Sequence, residues 1–161
     1  MIIIGGEFMK KNTLTLVTGG ARSGKSSFGE NLLKDIDGKV LYIATAQAFD
    51  DEMKDRIKKH RKGRPSNWIT LEGYKNLDSS ISEYKKEFSA IFLDCITIMI
   101  TNLMLEEDFD WDTITPMEID LLEQKVFDQV EALIYTVKSF GVPVVFITNE
   151  IGFGIVPENR L

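Results

Sequence analysis

The stretch Leu14-Thr15-Leu16-Val17-Thr18-Gly19-Gly20-Ala21-Arg22-Ser23-Gly24-Lys25-Ser26 decides how the rest of this chain is read. Leu14 to Thr18 is a short apolar run of the buried-strand type, and residues 26–33 carry a helical pattern. The eight residues between fit G-x-x-x-x-G-K-[ST] in full, in the strand-to-helix context that a phosphate-cradling loop needs. Gly19, Gly20 and Gly24 permit a turn that aims successive N–H groups at phosphate oxygens, with Ala21, Arg22 and Ser23 between them. The helix N-terminus adds partial positive charge. Lys25 can reach the β- and γ-phosphates, and Ser26 can place its hydroxyl on Mg²⁺. A glycine-rich turn that binds nothing is the alternative, and pattern and context together favour the phosphate loop.

Outward from the loop, apolar runs alternate with helical patterns. Residues 40–44 (VLYIA), 90–93 (AIFL) and 144–148 (VVFIT) read as further buried strands, and residues 68–71 as a possible short one. Helices are expected over 78–88 with Asp78 as N-cap, around 102–106, and over 118–140. In the last of these Ile119, Leu122, Val126, Val130, Leu133 and Val137 form the inner face, and Gly141 is the stop signal. Phe49, Met53 and Ile57 recur every four residues and predict one more helix. Continuous apolar strands separated by helices imply an α/β fold, a mostly parallel sheet covered on both faces. At 161 residues one domain is expected over 9–161. Residues 1–8 lack a basic n-region and are set aside as a leader or added segment.

Composition narrows the chemistry. One cysteine, Cys95, excludes an internal disulfide and a multi-cysteine zinc site, and suits a reducing, cytoplasmic setting. Cys95 is read as a packed thiol. One histidine, His60, excludes any two-histidine metal site. No apolar run approaches the roughly 20 residues of a membrane span. A net charge of -6 argues against nucleic acid as partner. The charge is uneven: seven Lys and Arg fall in residues 54–64 beside the single acid Asp55, whereas residues 106–131 hold ten acids and one base. A local basic patch on an acidic chain points to a small anionic ligand.

Two further residues stand out. Asp94 follows the apolar run 90–93, where a metal-supporting carboxylate of a phosphate-loop protein would lie; a turn or N-cap aspartate reads the same way in isolation. His60 follows Arg56 by one helical turn and precedes Arg61, Lys62, Gly63 and Arg64. Neighbouring cations disfavour the imidazolium, which leaves a neutral ring able to act as nucleophile or base. Taken alone, the segment reads more simply as a solvated basic helix face.

The motifs together resemble one family. Thr18 to Ser26, Tyr42 to Ala46, Asp51-Glu52-Met53, Arg56-Ile57, His60-Arg61, Arg64-Pro65, Trp68, Thr70, Glu72, Asp94 to Thr97, Asn102 and Thr148 to Glu158 run in the order of the bifunctional adenosylcobinamide kinase / adenosylcobinamide-phosphate guanylyltransferases of cobalamin biosynthesis. The resemblance implies a three-layer P-loop NTPase fold of RecA-like type. It implies phosphorylation of adenosylcobinamide by a nucleoside triphosphate, ATP or GTP, and then transfer of GMP from GTP to the product through a guanylylated histidine. Here only His60 can fill that role. It further implies guanine-nucleotide contacts from Ile43, Ala44, Thr45, Arg61 to Arg64, Glu72 and Asp94, Mg²⁺ on Ser26 and Asp94, and a homotrimer. Family members are expected to continue past Leu161 through a further helix and strand, so the sheet is expected to lack that C-terminal strand. The competing readings are a plain P-loop small-molecule kinase or NTPase and a non-catalytic nucleotide-binding remnant.

Overall fold

The computed structural model describes residues 2–4, 12–47, 65–84 and 87–150. Five strands run parallel: β2 (Leu14–Gly19), β3 (Val40–Ala44), β4 (Trp68–Glu72), β5 (Ala90–Asp94) and β6 (Val144–Asn149). A short strand β1 (Ile2–Ile4) pairs antiparallel with β2, and the sheet order is β1-β2-β6-β5-β3-β4. Three residues of the segment set aside above thus lie along the outer edge of the loop-bearing strand. Helices α1 (Lys25–Leu33), α2 (Leu77–Ser82), α3 (Ile96–Leu105) and α4 (Pro116–Ser139) complete the described elements.

The central strands β3, β5 and β6 are largely apolar because both faces are covered. Leu41, Ile43, Ile91, Leu93 and Phe146 pack with Leu77, Ile81, Met99, Leu103, Leu133 and Val137 of α2, α3 and α4. The alternate residues Val17, Val40, Tyr42, Phe92, Val145 and Ile147 pack with Leu33 and the flanking Phe28 and Leu32 of α1. Rings of Tyr42, Trp68 and Phe92 cluster on the α1 face, with centroids 5.1–6.0 Å apart. Gly29 lets α1 sit low on the sheet: a Cβ there would lie 2.7 Å from both Ile147 Cδ1 and Phe92 Cε2.

Several sequence expectations need correction. The helix expected over 78–88 spans only Leu77–Ser82, and its N-cap is Asn76, at φ 49, with Asp78 inside the first turn. Beyond it Tyr84 N donates to Ile81 O and Glu87 N to Tyr84 O, and buried Phe88 packs against Phe140, with ring centroids 4.9 Å apart and planes tilted by 48°. The helix expected around 102–106 starts at Ile96. Its first six residues carry no charge, so no polar stripe marked their period. The long helix starts at Pro116, where Thr115 and Glu118 form a capping box. Ile119 is 47% exposed and does not belong to the inner face. Gln129 accepts from Asn76 N near the sheet rim, and Ile119 lies about 15 Å further along the helix, past the strands. There it lines an apolar groove with Trp111, Ile114 and Phe127. The helix predicted from Phe49, Met53 and Ile57 lies outside the described residues. No helix among the described residues is long and apolar enough to cross a membrane.

Candidate active site

Parallel strands deliver their carboxyl ends to one rim, and the register orders that rim. Gly19 pairs with Asn149, Asp94 with Ile147, and Ala44 with both Asp94 and Glu72. The phosphate loop, Asn149, Asp94, Ala44 and Glu72 therefore stand in succession along the ends of β2, β6, β5, β3 and β4.

The loop itself is tightly wound. Ser23 N donates to Gly20 O at 3.3 Å, and Phe28 N donates to Gly24 O at 2.9 Å to open α1. Gly24 sits at φ 82, a conformation that favours glycine, and Arg22 adopts φ 57. A Cβ on Gly19 would meet Ser23 Oγ at 2.8 Å. Gly20, Ala21, Arg22, Ser23 and Gly24 are exposed, which leaves the turn open to a ligand. Lys25 is buried at the helix start and its Nζ donates to Gly20 O at 3.1 Å. Ser26 is half-buried one residue further on.

Asp94 is half-buried at the end of β5, and Tyr42 Oη donates to its Oδ2 at 3.2 Å. Phe92 faces α1, so Asp94, two residues on, faces the same side as the loop's helix. Among the described residues no group of three His, Cys, Asp or Glu could hold a metal. The Ser26 hydroxyl and Asp94 carboxylate nevertheless fit Mg²⁺, a hard cation that takes one or two protein oxygens together with waters and substrate phosphates.

The remaining predicted residues divide by location. Ile43 is buried in the core, so its side chain faces away from any ligand on the rim. Ala44 is half-buried, and its carbonyl accepts from Gly73 N at 3.1 Å. Thr45 is buried and engaged with the Cys95 backbone. Glu72 is exposed at the end of the edge strand β4, next to Ala44. His60, Arg61, Lys62, Gly63 and Arg64 lie outside the described residues, as do Arg56 and residues 151–161. The structure adds Tyr42 and Asn149, both within the resembling segments but carrying no assigned role. A tyrosine of an apolar strand gives no signal that its hydroxyl meets a carboxylate from another strand. Cys95 is a buried free thiol that caps α3, and burial pushes its pKa up.

Comparison with known proteins decides the family. A family model described as "Cobinamide kinase / cobinamide phosphate guanyltransferase" matches residues 15–161. The chain belongs to this family. The cobinamide kinase / guanyltransferase relatives include the "Bifunctional adenosylcobalamin biosynthesis protein CobU" of Escherichia coli (strain K12), 45% identical over 150 residues, which cover 92% of this chain and 81% of that protein. The protein of the same name in Salmonella typhimurium is 45% identical over 153 residues, with the same coverages. The "Bifunctional adenosylcobalamin biosynthesis protein CobP" of Pseudomonas aeruginosa is 36% identical over 146 residues, covering 91% of this chain and 76% of its own. The α/β sheet with its strand–loop–helix at β2 and α1 agrees with the P-loop architecture expected of a cobinamide kinase.

Proposed function

We propose that this chain carries both activities named by its family: it phosphorylates the aminopropanol hydroxyl of adenosylcobinamide, and then joins GMP from GTP to that phosphate. The observation that carries the reading is the juxtaposition on one rim of a complete phosphate loop and Asp94, in a chain of this family. ATP or GTP serves as phosphate donor, and GTP as the source of GMP.

In the first reaction the substrate hydroxyl attacks the γ-phosphorus and the bond to the β-phosphate oxygen breaks, releasing nucleoside diphosphate. Lys25 and the loop N–H groups stabilise charge on the phosphates. Ser26 and Asp94 would hold Mg²⁺, which when bound would neutralise phosphate charge. In the second reaction a neutral His60 imidazole attacks the α-phosphorus of GTP; a P–N bond forms and pyrophosphate leaves. An oxygen of the substrate phosphate then attacks that phosphorus, the P–N bond breaks, and adenosylcobinamide-GDP results. Arg61 to Arg64 supply phosphate contacts, and Glu72 accepts from guanine N1–H and N2–H₂. Loss of preference for GTP over ATP in Glu72→Gln supports that last role, and an unchanged preference removes it.

A homotrimer in the cytoplasm completes the reading. Met117, Leu121 and Tyr135 share one exposed face of α4 and offer apolar contact surface, and the lone free thiol suits a reducing compartment. The central test is incubation with α-labelled GTP and Mg²⁺ followed by a denaturing gel. Acid-labile label retained on the protein and absent in His60→Ala is the expected result; a folded protein that retains none refutes the guanylylated histidine. Kinase activity surviving in His60→Ala assigns phosphoryl transfer to the Lys25 site.

A further inference from the structure

Among the described residues, Asn149 Oδ1 is the buried side-chain polar atom without a hydrogen-bond partner. Its surroundings make that an anomaly. Asn149 closes β6, the strand that separates the loop-bearing β2 from β5 with Asp94. Its backbone is tied down on both sides. Asn149 N donates to Thr97 Oγ1 at 2.8 Å, so the Thr97 hydroxyl continues the ladder where β5 has ended. Glu150 N donates to Gly19 O at 3.2 Å on the other side. The Thr97 and Thr148 hydroxyls pair at 3.0 Å. Asn149 itself is half-buried, whereas Asn102, the other asparagine near this rim, is buried and donates from its Nδ2 to Thr45 O at 2.8 Å.

Strand periodicity gives the direction of the unpaired oxygen. Ile147 packs on the α1 face, so Asn149, two residues on, projects to that face as well, as Asp94 does. Asp94 registers with Ile147, which sets Asn149 about 6–7 Å further along the strand direction, level with Gly19. The carboxamide therefore stands between the phosphate loop and the Asp94 carboxylate, on the side where α1 begins. Buried polar atoms are nearly always paired, and the exceptions mark strain, a catalytic role, or a water or ion that completes them.

We infer that the Asn149 carboxamide is a positioning group of the phosphoryl-transfer site, its oxygen accepting from an O–H that lies beside the terminal phosphate of bound nucleotide. This rests on the functional reading above. A phosphate oxygen is itself an acceptor and cannot satisfy Oδ1. The donor is either a water of the Mg²⁺ shell or the hydroxyl that attacks the phosphorus, and both present the same chemistry to the carboxamide. An orphaned acceptor contributes no stability to the ligand-free protein, so its removal separates a positioning role from a structural one.

The experiment compares the full chain with Asn149→Leu and Asn149→Ala in three measurements: thermal unfolding without nucleotide, binding of a fluorescent GTP analogue titrated with Mg²⁺, and phosphoryl transfer to cobinamide. The expected result is an unfolding midpoint unchanged or raised and a kcat lowered by about 10–100-fold. A raised Mg²⁺ requirement for nucleotide binding identifies the donor as metal-bound water; an unchanged requirement with a raised KM for cobinamide identifies the attacking alcohol. Transfer at the wild-type rate in both variants overturns the proposal, as does a lowered midpoint with a matching loss of nucleotide binding. If the wild-type chain binds nucleotide but does not phosphorylate cobinamide, the functional reading fails separately. Asn149 is then judged on Mg²⁺-dependent binding and nucleotide hydrolysis, and overturned if neither changes.

Discussion

The Thr45 hydroxyl grips the Cys95 backbone from across the sheet, accepting from Cys95 N and donating to Cys95 O, each at 2.8 Å. Thr45 N donates to Asp94 O at 3.2 Å, and Asn102 Nδ2 donates to Thr45 O at 2.8 Å. Thr45, Asp94 and Cys95 lie at the ends of β3 and β5 and the start of α3, and Asn102 reaches them from the last turn of α3, so together they fix the backbone that carries Asp94. Thr45, expected from the resemblance to touch nucleotide, has its hydroxyl engaged in this frame.

Thr45→Val keeps the shape and removes the hydroxyl. It leaves the Cys95 N–H buried without a partner, whereas Cys95 O still accepts from Met99 N at 3.1 Å, and stability should fall by about 1–3 kcal/mol. Thr45→Ser should stay within about 1 kcal/mol of the parent. Urea unfolding of the two variants checks this, and equal midpoints for Val and Ser would show that the grip contributes nothing.

Gly29→Ala places a methyl 2.7 Å from the Ile147 and Phe92 side chains. α1 must lift from the sheet, at a cost of about 1–3 kcal/mol. Because Lys25 opens the same helix, nucleotide affinity should fall together with the unfolding midpoint. Loss of stability with unchanged affinity would mean that the far end of α1 absorbs the strain.

Lys25→Met tests the loop cation. The Nζ partner in the structure is Gly20 O, an atom of an exposed residue that water can satisfy, so the fold should persist with an unchanged far-UV circular dichroism spectrum. A charge-assisted bond to phosphate of about 1.5–3 kcal/mol predicts nucleotide binding weakened about 10–100-fold. Titration calorimetry with GTP reads the change, and retained affinity would remove Lys25 from the phosphate site.

Burial holds the Cys95 pKa above its ordinary value of 9.0, with the nearby Asp94 charge raising it further. Below that value both folded and unfolded thiols are protonated and the shift has no effect. Above it the unfolded chain releases a proton that the folded chain retains, so stability falls as pH rises from about 9. Cys95→Ser should lose part of that alkaline decline in pH-dependent unfolding. In the native protein iodoacetamide should modify Cys95 more than about tenfold more slowly than a free thiol at pH 8, because burial suppresses thiolate and access together. Rapid alkylation of folded protein would contradict the burial.

The candidate site was legible to different depths. Lys25 and Ser26 are named by a pattern that is complete within eight residues, and Asp94 by its place after an apolar strand. The role of Thr45 was not legible, because its partners Asp94, Cys95 and Asn102 are roughly fifty or more residues away in sequence. α3 was read short at its start because a nearly uncharged helix has no amphipathic period. Ile119 fits the inner-face period of α4, yet the helix outruns the sheet that would have covered it.

By itself, the amino-acid sequence determined what local rules can encode. These are the phosphate loop, the continuous apolar runs of strands buried on both faces, the long capped helix, and the motif order that marks the family. Only the tertiary structure decided which strand tips become neighbours, because sheet order depends on pairings between distant segments. That order puts β6 between β2 and β5, and so brings Asn149 between the phosphate loop and Asp94. It also decided how closely α1 approaches the sheet at Gly29, where the contact is set by Phe92 and Ile147, side chains of strands distant in sequence.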